Sequence, residues 1–131
     1  IMASQLKVDT ITGVTTAGSI SVTGEGNSTT TNLQQGLAKL WISTAADGAS
    51  IFNSFNVSSL GDDSAGIQTV NFSNDMSNGN YAVGVSTGSA GTYSLAIANV
   101  STGSYKGYVY SGHTSNYADV SQRHVLTGDL A

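Results

Sequence analysis

Acid–base chemistry in this 131-residue chain would have to run through His113 or His124, its two imidazoles, with Asp119 to orient one of them and a serine as nucleophile. No motif frames them. The sequence has no G-x-S-x-G elbow, no H-E-x-x-H pair, no phosphate-binding loop and no EF-hand spacing. Histidines outside such settings read as surface or strand residues, so no enzyme activity is expected. Asp62 and Asp63 are adjacent carboxylates that could hold a cation, but with Gly61, Ser64 and Gly66 around them they read as a solvated turn. The absence of cysteine excludes disulfides and thiolate metal sites. Neither a metal nor another cofactor is called for.

Binding chemistry has better material. Tyr105, Tyr108, Tyr110 and Tyr117 are interleaved with Gly, Ser, Asn and His113, a composition suited to sugars or protein surfaces, where amphipathic rings stack and short polar groups hydrogen-bond. Tyr105 and Tyr117 are the candidate stacking surfaces and His113 a candidate hydrogen-bonding group, in loops between strands. The alternative is that two or three of these tyrosines fill a sheet face.

The elements that must position these residues are β-type. Between Phe52 and Val85, three short apolar-alternating runs, Phe55 with Val57, Val70 with Phe72, and Tyr81 with Val83 and Val85, are separated by Gly, Asp, Asn and Ser clusters. A β-meander is the simplest reading, with Gly61 to Gly66 as the first reversal. Tyr93, Leu95 and Ile97 alternate in a further run, Tyr108 and Tyr110 sit in another, and Val120, Gln122, His124 and Leu126 line a last one. Six or seven strands over residues 42–131 predict a mainly β head domain, an antiparallel β-sandwich of jelly-roll-like kind.

Residues 1–41 read as a separate segment. Leu6, Val8, Ile11, Val14, Ile20 and Val22 alternate with Thr, Ser and Gly, but strands this short and thin cannot form a stable sheet alone. Other copies of the chain would supply the missing surface; the alternative is a flexible tail. In TTNLQQGLAKLW, Leu33, Leu37 and Leu40 follow helical spacing after Thr31 or Asn32 as N-cap, and Gly36 weakens the helix, so it would need partner helices. A competing reading starts a strand at Leu37, with Leu37, Lys39 and Trp41 on one face and Ala38, Leu40 and Ile42 on the other. Either way the segment is a neck, and Trp41, the sole tryptophan, anchors it to the head.

Charge narrows the partners. With a net charge of −4 and cations only at Lys7, Lys39, Lys106 and Arg123, the chain offers no footprint for nucleic acid or anionic lipid. No apolar run is long enough for membrane insertion and no signal peptide is visible, so a soluble protein is expected.

The start LKVDTITGVTTAGSISVTGEG, the neck TTTNLQQGLAKLW, SFNVSSL with its Gly-containing turn, and the TVNFSNDMSNGNYAV strand pair together resemble the C-terminal tail-fibre or fibre-like virion proteins of marine tailed bacteriophages. The resemblance covers a little over half the chain and loosens after Gly84. It implies a homotrimeric virion protein on the tail or capsid exterior, with a slender N-terminal part, a β-rich head, and no enzyme activity or cofactor. On that footing the N-terminal segment docks on other virion proteins, Leu33, Leu37 and Leu40 face the trimer axis, and the head's second half meets a host-surface glycan or outer-membrane protein. A capsid decoration protein or head fibre is the nearest alternative, and a bacterial surface adhesin or filament subunit a more distant one.

Overall fold

The computed structural model describes residues 5–13, 20–24 and 29–131, and the chain divides into two compact units, Ile1–Gly36 and Leu37–Ala131.

In the first unit, β1 (Ser21–Thr23) pairs antiparallel with β2 (Thr30–Asn32), Ser21 opposite Asn32 and Thr23 opposite Thr30. The chain then makes one helical turn, α1 (Leu33–Gly36). Asn32 caps it: its Oδ1 accepts the Gln35 amide at 3.0 Å, satisfying a donor that a helix start leaves open. Leu6, Val8, Ile11 and Val22 are exposed; Val14 lies outside the described residues.

The helix does not reach Leu37 or Leu40. Gly36 ends it, and the alternation of Leu40, Ile42 and Thr44 then wins as β3 (Leu40–Thr44), whose inward side is wholly buried. Leu40, expected on a trimer axis, is 0% exposed and belongs to the core of the second unit. Leu33 remains in α1, and Leu37 is exposed ahead of β3. A boundary between residues 41 and 42 would cut β3 in two.

The second unit continues with β4 (Ile51–Phe55), β5 (Val57–Ser64), β6 (Ile67–Phe72), β7 (Ala82–Thr87), β8 (Tyr93–Ala98), β9 (Ser104–Ser111), β10 (Asn116–Tyr117) and β11 (Gln122–Thr127). The chain is mainly β and every pairing is antiparallel. One sheet has the order β4-β3-β11-β7; the other has β10-β9-β6-β5, with β8 on the far edge of β9.

One core joins them. Leu40, Ile42 and Leu126 come from the first sheet, Val70, Phe72 and Tyr105 from the second, and Met76 from the β6–β7 connection. Each such side chain fully buried contributes about 1.5–3 kcal/mol.

The meander is not what forms. The run containing Phe55 and Val57 is broken at Asn56, whose φ of 58° turns the chain so that β4 lies in one sheet and β5 in the other. The side chain of Asn56 secures that turn, donating to the Lys39 carbonyl at 3.0 Å and accepting the Asn74 amide at 2.8 Å. β5 and β6 do form a hairpin, but β5 runs through Gly61, Asp62 and Asp63, and only Ala65 and Gly66 turn. β7 then crosses to the first sheet to pair with β11, while β6 pairs with β9. At the crossing Tyr81 donates to the Ser101 and Ser104 carbonyls at 2.9 and 3.0 Å, packs edge-on against Phe72, and has its phenol pushed up to about 12 by burial.

A candidate recognition face of three tyrosines

β9 alternates Tyr105, Gly107 and Val109 inward with Lys106, Tyr108 and Tyr110 outward. The turn Gly112 to Ser115 folds the chain back, Ser115 at φ 55°, so that Tyr117 of β10 stands directly opposite Tyr110. The three outward rings meet. Tyr117 lies 5.9 Å from Tyr110, nearly perpendicular to it, and 6.1 Å from Tyr108, both within the range of favourable aromatic pairs. Tyr110 and Tyr117 keep 40% and 49% of their surface open. Across the strand, Ser94 and Ala96 of β8 sit opposite Tyr110 and Tyr108, and their small side chains leave the rings uncovered.

Polar groups border the rings. The Tyr108 hydroxyl donates to Asn99 Oδ1 at 3.1 Å, which fixes that ring. Further along the same side of β9, Lys106 pairs with Asp63 at 3.1 Å, and Asp63 also accepts the Thr69 hydroxyl. Thr69 and Lys106 together hold the Asp63 carboxyl below the usual carboxylate range. Asp63 is thus engaged with a lysine, and among the described residues no cluster of His, Cys, Asp or Glu could hold a metal ion.

Of the residues expected to bind, Tyr117 is in this cluster and His113 is exposed in the adjoining turn. Tyr105 is elsewhere. It is 0% exposed, its ring packs 5.8 Å from Phe72 and 5.6 Å from His124, and its hydroxyl meets His124 Nδ1 at 2.8 Å. It cannot stack on a ligand. Strand parity is the reason: Tyr105 and Tyr108 are three positions apart, so the two point to opposite faces, whereas Tyr108 and Tyr110 share one. The same parity would have identified Tyr108 and Tyr110 as the companions of Tyr117.

His124 is 3% exposed. Its Nε2 lies 3.0 Å from Gln122 Oε1, an arrangement that fits a neutral ring donating from Nε2 and accepting the Tyr105 hydroxyl at Nδ1. Burial pushes this imidazole down to about 4 and the Tyr105 phenol up. Gly107 makes room for the pair, since a Cβ there would lie 2.8 Å from Gln122 Oε1 and 3.2 Å from His124 Cε1. These polar groups are sealed in the interior, away from any substrate on the surface. Trp41, expected between neck and head, is on the outward side of β3 and 38% exposed.

No protein-family model, curated protein or solved structure matches the chain. Its function has to be argued from its surfaces.

Proposed function

We propose that Leu37–Ala131 is the β-sandwich head of a homotrimeric virion fibre, a tail fibre or fibre tip, and that Tyr108, Tyr110 and Tyr117 attach it to a host-cell glycan. The observation that carries the attachment role is the tyrosine cluster on one outward side, in which the Tyr117 ring lies about 6 Å from both Tyr108 and Tyr110. Rings of this kind stack on the apolar faces of sugars while hydroxyls and neighbouring Ser and Asn groups replace water at the sugar's edge. The virion assignment is supported by the resemblance over a little more than half of the chain, and the N-terminal unit is the segment that would dock on other virion proteins. No catalytic group or cofactor has a part in this function.

A single stacking contact contributes about 1 kcal/mol, roughly fivefold in affinity. Three heads per fibre convert that into useful avidity. The test uses particles carrying Tyr110→Ala with Tyr117→Ala and the purified chain on an oligosaccharide array. Loss of adsorption together with loss of array binding is the expected result; unchanged adsorption by the double variant overturns the attachment role.

A further inference from the structure

The outward side of the other sheet is built differently. Phe55 of β4, Trp41 of β3, Val125 of β11 and Gly84 of β7 lie side by side in the register, forming one row across all four strands. The row is apolar and open: Phe55 is 54%, Trp41 38% and Val125 44% exposed. Gly84 keeps its end low, because a Cβ there would come within 3.2 Å of Val125 Cγ1. Beyond Asn53 the register of β4 slips and sets Ile51 opposite Thr44, an inward residue of β3, so Ile51 is not part of the row.

We infer that this row is the contact between heads, packed against a second copy of the same chain around the trimer axis. The inference rests on the trimeric reading above and says which surface makes the trimer. Three observations favour a copy of the chain over another partner. The first is charge: Arg123 is the one charged residue among the outward positions of these strands, so the carboxylates of a chain of net charge −4 are kept off this face. Copies can approach here without acid facing acid, and a basic partner would find no counter-charge. The second is area. From the fractional exposures of Phe55, Trp41 and Val125 and roughly 150–250 Å² per large side chain, the open apolar surface of the row is on the order of 270 Å², the size of the apolar centre of an interface with a polar rim. The third is connectivity. Only residues 37–39 lie between the end of the N-terminal unit at Gly36 and the start of β3 at Leu40, so a trimer joined through its N-terminal segments would tether the three β3 strands by short linkers. Leu40 faces the core and cannot make that contact; Trp41, the next residue, can.

Trp41 is the only tryptophan, so it reports on its own environment. In the wild-type chain at micromolar concentration, light scattering should give the trimer mass, and Trp41 emission should be blue-shifted and protected from acrylamide. Dilution to monomers should shift the emission to the red. Trp41→Glu should yield monomers that keep their β circular dichroism, while Tyr117→Ala should remain trimeric. Trimers whose Trp41 is quenched as freely as in the urea-unfolded chain, or trimers of Trp41→Glu, overturn this contact and leave the trimeric reading standing. A monomeric wild-type chain overturns both, and assigns the face to a different protein.

Discussion

His124 takes a proton at a cost, because its ring is enclosed and Nδ1 already accepts from Tyr105. Its folded value of about 4 lies below the ordinary 6.5, so on acidification the unfolded chain binds the proton first. Stability is therefore complete above pH 6.5, falls as the pH drops from 6.5 toward 4, and levels off below; the full change is about 3 kcal/mol. Urea unfolding between pH 7 and 4.5 should show this loss, with a flatter profile in His124→Gln. At Gly66 a side chain has no room. At φ +69° its Cβ position lies 2.6 Å from the Ala118 amide nitrogen and from the Val109 carbonyl oxygen, both backbone atoms that cannot swing aside. Gly66→Ala should cost about 1–3 kcal/mol from conformation alone, with the clash added, read as a lower thermal midpoint. The role of Gly66 in a tight reversal was legible in the sequence. The burial of Tyr105 was not, since composition groups the tyrosines together and only the start of β9 fixes their parity.

At the scale of elements, alternation identified most strands of the second unit because each has one side in the core. Val70 with Phe72 and His124 with Leu126 are examples. It did not identify their partners: any antiparallel neighbour satisfies an alternating pattern, so nothing local says that β7 leaves β6 for β11. TTNLQQGLAKLW was ambiguous for a related reason. Three leucines at helical spacing compete with the alternation of Leu40 and Ile42, and burial of the latter pair in the core decides for a strand. Leu40→Ala separates a core role from a trimer-axis role. It should lower unfolding free energy by about 2–5 kcal/mol through the cavity it leaves, without changing the mass of the folded species.

For the whole molecule, the two sheets of the second unit differ in the chemistry of their outward sides, hydroxyl-bearing rings on one and an apolar row on the other. Fragments locate the true edge of the head. Residues 37–131 should show β circular dichroism and a cooperative transition, whereas residues 42–131 lack Leu40 and half of β3 and should not. The position of β11 has a further consequence, for the order of events during synthesis. It is the last of the described strands, yet it lies between β3 and β7 and supplies Val125 to the row beside Trp41. At roughly 5–20 residues per second, β3 waits on the order of ten seconds for the strand that completes its sheet. Until β11 has been made, the row of Phe55, Trp41, Val125 and Gly84 is incomplete, and β3 has β4 as its one partner within that sheet.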